Sequence, residues 1–247
     1  MMVEQHQFEV SIRADVGNSA HPIQDNNDYA VFEVRGEVVG FFVVADGMGG
    51  YEDGVRASQT VIDTVLAYLE AHLGTGAPTT ILRQAIEAAN TAVHTYTQAE
   101  EIRSGSTITC ALIHQGQAVI ANVGDSRTYR RRQHQLQQIT RDHSFVEELI
   151  QRNLMPAEER YGSRHGNILT RGLGTAPDVD IDFFELPLLP DDLLLLCSDG
   201  LSSTLREEEI AHILNQDASL DEISEQLVEA AIMAGGKDHI TVMLVRL

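Results

Sequence analysis

Four aspartates stand either straight after an apolar run or inside a tight, Gly-bounded turn: Asp46 in VVADGMGG, Asp125 in NVGDSR, Asp199 in LLLLCSDG and Asp238 in GGKDHIT. A carboxylate at the end of a buried hydrophobic run marks the point where a strand leaves the core, so its backbone is held rigidly. The neighbouring glycines permit φ > 0 and close approach by a ligand. Brought together, such acids repel one another unless cations neutralise them, and hard divalent cations prefer carboxylate and carbonyl oxygen. The pattern points to a metal-dependent hydrolase. Asp is also favoured at helix caps and in turns, and for each acid taken alone that alternative stays open.

The rest of the chain reads in blocks. Strand-like segments at Phe8–Arg13, Tyr29–Val34 and Val38–Ala45 come first,. Helical patterns follow at Gly54–His72, where Val55, Ile62, Val65, Leu66 and Leu69 recur at helical spacing, and at Thr79–Ala99,. A meander comes next: Thr107–His114, Ala118–Val123, Arg127–Arg131 and Leu136–Ile139, with turns short enough for antiparallel pairing,. Residues 144–174 hold a helix and an irregular polar stretch. Strands resume at Val179–Leu186 and Leu193–Ser198, then helices at Glu207–Leu214 and Leu220–Ala234, then a last strand at Ile240–Arg246. Strands and helix pairs in blocks, without βαβ alternation, predict an α+β layered sandwich. No repeat or linker divides the 247 residues, so a single domain over 1–247 is expected,.

Charge narrows the function. The 37 acidic and 17 basic residues give a net charge of −20, which argues against binding to nucleic acid or an anionic membrane surface. No apolar run approaches the ~20 residues that span a bilayer, and the N-terminus does not read as a signal peptide. A cytoplasmic location is expected. Cys110 and Cys197 lie inside apolar runs and read as buried, reduced thiols rather than a disulfide or a nucleophile,. The basic cluster Arg127, Arg130, Arg131 and Arg132 reads as a solvated hairpin more readily than as a recognition patch.

Taken in order, QDNND, VVADGMGG, SGSTIT, NVGDSR, TRDHS, LTRGLG, LLLLCSDGL and KDHITVMLV resemble the motif series of the metal-dependent protein phosphatases, the PPM or type 2C serine/threonine phosphatases, in their bacterial form. The resemblance runs from about Asp15 to the C-terminus. It implies a four-layer α-β-β-α sandwich with two central antiparallel sheets and a metal cleft at one end. It also implies two Mn²⁺ or Mg²⁺ ions bridged by Asp46, with the Gly47 carbonyl on one and Asp199 and Asp238 on the other. Asp25 would bind directly or through water, and Asp125 matches a ligand of a third ion. Asp46, Asp199 and Asp238 would act through a metal-bridging water that attacks phosphorus directly on phosphoserine or phosphothreonine. Phosphorylated proteins and a bacterial serine/threonine kinase system are the implied partners.

Some positions depart from the family pattern. Where family members carry a phosphate-binding Arg, this chain has Ala20; His21 and Arg13 are the candidate substitutes. Met48 stands where animal members have a His, Tyr51 where bacterial members often have one, and His239 where Asn is usual. The segment over about 145–165 matches a variable flap beside the cleft, carrying Arg152, Arg160 and Arg164 among four glutamates. Two other functions remain open at this level: a non-catalytic phosphoprotein-binding module of the same fold, and a phosphatase of small metabolites.

Overall fold

The computed structural model describes residues 8–19, 23–161 and 168–247, with the backbone alone at Tyr51. In chain order the elements are β1 (Glu9–Asp15), β2 (Asn26–Val34), β3 (Glu37–Ala45), β4 (Gly47–Met48), α1 (Tyr51–His72), α2 (Pro78–Ala99), β5 (Gly105–Ser106), β6 (Ile108–His114), β7 (Gln117–Val123), β8 (Arg127–Arg132) and β9 (Gln135–Gln138). There follow α3 (Phe145–Gln151), a 3₁₀ turn (Ala157–Arg160), β10 (Asp182–Pro187), β11 (Leu193–Cys197), α4 (Asp199–Ser202), α5 (Glu207–Leu214), α6 (Leu220–Met233) and β12 (Ile240–Arg246). One five-stranded sheet runs β1-β12-β11-β8-β9 and the other β10-β7-β6-β3-β2, with all pairings antiparallel.

Three apolar layers hold the sandwich together. Phe41 and Val43 of β3 pack with Val61, Ile62, Val65 and Leu69 of α1 and with Leu82 and Ile86 of α2. Phe42 and Val44, on the other face of the same strand, meet Leu194, Leu196, Met243 and Val245 of the second sheet. Leu193, Leu195 and Cys197, with Val242 and Leu244, pack under Ile210, Ile223 and Leu227 of α5 and α6. The order of layers is therefore helices, sheet, sheet, helices, as expected. Strands β3, β6, β11 and β12 bury both faces, which is why they read as continuous apolar runs. Each fully buried large side chain contributes about 1.5–3 kcal/mol, so these strands fix the positions of the loops at their ends.

Local signals set the helix starts. Pro78 opens α2 at the position where its missing N–H costs nothing,. Ser219 caps α6 in a reciprocal pair with Glu222: Ser219 Oγ accepts the Glu222 N–H (3.2 Å) and Glu222 Oε2 accepts the Ser219 N–H (2.9 Å),. Helix α1 begins three residues before the predicted Gly54, with Glu52 and Asp53 in its first turn, where the helix dipole favours acids,. Gly54 is itself a poor helix former. It is there because a Cβ would lie 3.0 Å from the Gly47 carbonyl oxygen. Among the described residues no helix is long and apolar enough to cross a membrane.

Candidate metal centre

The two sheets present their acid-bearing ends on the same side. In one, Ala45 ends β3 opposite Asn26, which starts β2, and Ile108 starts β6 opposite Val123, which ends β7. In the other, Cys197 ends β11 between Arg127 and Val242, and Ile240 starts β12 opposite Asp15. Asp25 and Asp46 flank the first set, Asp125 sits in the β7–β8 turn, and Asp199 and Asp238 flank the second. Asp46, Gly47, Asp125, Asp199 and Asp238 line one cavity of about 190 Å³, together with Gln24, Met48, Thr107 and Leu169.

The Asp46 backbone is clamped from the β6 side. Its N–H donates to Thr107 Oγ1 (3.0 Å), and its carbonyl accepts the Thr107 N–H (2.8 Å) and the Ser106 hydroxyl (3.0 Å). Thr107 Oγ1 in turn shares a hydrogen with Ser126 Oγ at 2.7 Å, which ties the clamp to the Asp125 turn. Gly47 follows where a Cβ would lie 2.1 Å from the Gly54 carbonyl oxygen, so only glycine lets the loop press against α1. Asp199 opens α4, and a Cβ on the next residue, Gly200, would lie 2.0 Å from the His239 carbonyl oxygen. The same carbonyl accepts the Ser198 hydroxyl (3.2 Å), and Ser198 Oγ accepts the Thr241 N–H (2.9 Å). The loop carrying Asp199 is thus held to the loop carrying Asp238.

Electrostatically the site is strained by its own charge. Burial, then the carboxylates of Asp25, Asp199, Asp125 and Asp238, hold the Asp46 carboxyl well above the usual range. Burial, then Asp125, Asp238 and Asp25, do the same to Asp199. Burial pushes Asp125 up to about 7, with Asp142 adding to it. Burial pushes Asp25 up to about 6, against hydrogen bonds that lower it; Thr241 donates one to Asp25 Oδ2 at 2.7 Å. Two oxygens, Asp25 Oδ1 and Asp199 Oδ1, are buried without any hydrogen-bond partner. Orphaned acceptors of this kind are costly, and a hard cation is a partner that would satisfy them. No three His, Cys, Asp or Glu side chains among the described residues are gathered tightly enough to hold an ion entirely on their own. The carboxylate and carbonyl oxygens that line the cavity are a donor set that fits hard divalent cations such as Mg²⁺,.

Not every sequence-predicted site residue reaches the cavity. Arg13 lies on β1 with its guanidinium toward Asp221 of α6 (3.7 Å) and on its neighbour's carbonyl (2.9 Å). It shares that strand face with Ser11, which donates to Asp221 (2.6 Å), and so it points at the helix layer rather than the acids. Ala20 and His21 lie outside the described residues, as do Arg164 and His165 of the flap. In the described part of the flap, Arg160 pairs with Glu147 (3.0 Å) and Arg152 with Glu148 (3.6 Å). The solvated-hairpin reading of the basic cluster is corrected at Arg127. Its side chain is 5% exposed and grips Asp142 bidentately (2.8 and 2.6 Å), with its third nitrogen donating to the Tyr129 hydroxyl (2.8 Å). Both cysteines are buried and free, with burial holding each thiol at about 12.

Thr107, Thr241, Ser198 and Ser126 carry no signal of their role in the local sequence. Their hydroxyls orient the acids, and only the three-dimensional register reveals it. The glycines of SGSTIT and LTRGLG allow close packing: a Cβ at Gly105 would lie 2.6 Å from the Leu173 carbonyl oxygen, one at Gly172 would meet Met48 Cε at 2.4 Å, and one at Gly174, at φ +82°, would meet Val93 at 2.1 Å.

The sequence profile of the protein phosphatase 2C family matches residues 18–237. The serine/threonine phosphatase stp of Listeria monocytogenes is 38% identical over 238 residues, covering 94% of this chain and 93% of its own. Among solved structures, the serine/threonine phosphatase Stp1 from Staphylococcus aureus superposes with a TM-score of 0.89 at 33% identity, over 97% of this chain and 95% of that one. The catalytic domain of the serine threonine protein phosphatase PstP, in complex with two manganese ions, superposes with a TM-score of 0.83 at 29% identity, over 97% of each chain. This chain belongs to the protein phosphatase 2C family, the metal-dependent serine/threonine phosphatases.

Proposed function

We propose that this chain hydrolyses phosphoserine and phosphothreonine in proteins, acting in the cytoplasm against a bacterial serine/threonine kinase system, with residues 1–247 serving as one catalytic domain. The observation that carries this reading is the charge of the cavity. Among its described lining residues four are aspartates and none is basic. A phosphate dianion would meet only like charge there unless cations came between. Asp46 and the Gly47 carbonyl, with Asp199 and Asp238, are the residues that would hold two such ions. Asp25, beside Asp46, has one buried oxygen without a hydrogen-bond partner and would bind directly or through water; Asp125, on the wall of the same cavity, would bind a third ion. Divalent cations held by these residues would supply two things: a lower pKa for water and neutralisation of the phosphoryl charge.

What the protein itself supplies is position. The Thr107–Ser126 and Ser198–Thr241 pairs hold opposed carboxylates across the cavity without rearrangement at the moment of reaction,. With Arg13 committed to Asp221, cations rather than this arginine would carry the substrate's charge. The test is phosphate release from a phosphothreonine peptide with Mn²⁺, Mg²⁺ or EDTA, alongside Mn²⁺ binding by calorimetry, for wild type and Asp46→Ala. Metal-dependent release and tight binding, both lost in Asp46→Ala, are expected. Binding of metal and phosphopeptide without turnover would instead make the chain a binding module. Preference for sugar phosphates over phosphopeptides would make it a metabolite phosphatase.

A further inference from the structure

A second cavity, of about 490 Å³, lies on the other side of Met48 from the acids; Met48 lines both. Its wall mixes apolar and polar residues, and the hydroxyls are firmly held. Ser104 Oγ donates to the Met48 carbonyl (3.0 Å) and the Asp53 carbonyl (2.9 Å), and Thr175 Oγ1 donates to the Gly172 carbonyl (2.7 Å). Gly49, at φ +121°, brings the site loop so close to the next segment that a Cβ would lie 2.7 Å from the Arg103 carbonyl oxygen. Arg103 is thereby anchored beside the loop that carries Asp46 and Gly47, and its side chain is exposed on the cavity wall.

In a chain this acidic, arginines near carboxylates are generally taken. Arg127 holds Asp142, Arg132 holds Asp192, Arg171 holds Asp182, and the nearby Glu100 is occupied by Arg56 at 2.7 Å. Arg103 is engaged by no carboxylate among the described residues. Met48 joins the two cavities, and among the described residues that line the second one Arg103 is the basic side chain. We propose that Arg103 is a specificity-determining residue, binding a carboxylate side chain that flanks the phosphorylated Ser or Thr of the substrate. The proposal rests on the phosphatase reading of the same site.

Two phosphothreonine peptides serve as probes, identical except for Glu or Ala at the positions flanking the phosphoresidue. They are assayed with wild type, Arg103→Ala and Arg103→Glu, with an aryl phosphate alongside and a thermal melt to verify folding. A wild-type preference for the Glu peptide is expected, lost through an up to fivefold rise in KM in Arg103→Ala, as for an exposed charge contact. Because the contact is remote from the reacting atoms, kcat and the aryl phosphate rate stay unchanged. In Arg103→Glu the preference inverts, and raising the ionic strength narrows it. Equal wild-type kcat/KM on both peptides, or an equal loss on all three substrates in Arg103→Ala, would overturn the proposal and leave the phosphatase reading intact. Turnover of neither peptide by folded, Mn²⁺-loaded wild type would overturn both.

Discussion

Asp25→Asn isolates the charge stored in the site. Asp25 is 5% exposed, with Oδ2 on the Thr241 hydroxyl and Oδ1 without a partner, close to Asp46. Its carboxyl is raised from 3.8 to about 6. At about 1.4 kcal/mol per pH unit, that corresponds to about 3 kcal/mol of penalty for keeping it ionised in the metal-free fold. The sign follows from linkage: the folded state binds the proton more tightly than the unfolded one. The favourable contribution of the neutral form is therefore complete below about pH 3.8 and lost as pH rises through about 6. Asparagine keeps the acceptor for Thr241, removes the charge and offers an N–H toward Asp46. In EDTA at pH 7.5, Asp25→Asn should be more stable than wild type by about 2–3 kcal/mol, and the gain should shrink as pH is lowered from 7 toward 4. Urea unfolding across that range measures it. With saturating Mn²⁺ the order should reverse, because the ions stabilise only the fold that holds them and the wild type holds them better. A metal-free variant no more stable than wild type at pH 7.5, or a gain that does not change with pH, would refute the idea that the acids strain the fold.

Two further substitutions test how the site is supported. Asp142→Ala strands the Arg127 guanidinium inside the protein and should cost about 3–5 kcal/mol in denaturant unfolding. The double variant Arg127→Met, Asp142→Leu should recover much of that loss, since it leaves no unpaired charge. Thr107→Val keeps the shape but leaves the Asp46 N–H and the Ser126 hydroxyl unpaired, so about 1–3 kcal/mol of stability and a large part of kcat should go, as read by thermal melts and phosphopeptide turnover. Thr107→Ser, which restores the hydroxyl, should recover both.

Much of the architecture was legible because the core is one-dimensional in its signal. The runs GFFVVA, ITCALI, LLLLC and ITVMLV are apolar on both faces since each strand lies between a helix layer and the opposite sheet, and Glu207–Leu214 and Ile240–Arg246 were placed to the residue. What failed was local chemistry reporting on its own context. The β4–β5 pair and the one-turn α4 are too short to carry a period, yet they set the angles of Gly47 and Asp199. Arg127 looked like surface because three arginines follow it at 130–132. Only the fold puts Asp142 and the Tyr129 hydroxyl around it.

The sequence by itself determined that several acids sit at strand ends, because a carboxylate next to an apolar run has nowhere else to go. It also carried the order of motifs that identifies the family. The tertiary structure decided which of those acids meet, which hydroxyls hold them and that Arg103 lies next to the Asp46 loop with no carboxylate on it among the described residues. Those outcomes depend on partners far apart in the chain, such as Thr241 with Asp25 and Arg13 with Asp221. Such pairs are set by strand order and register, which local sequence does not encode.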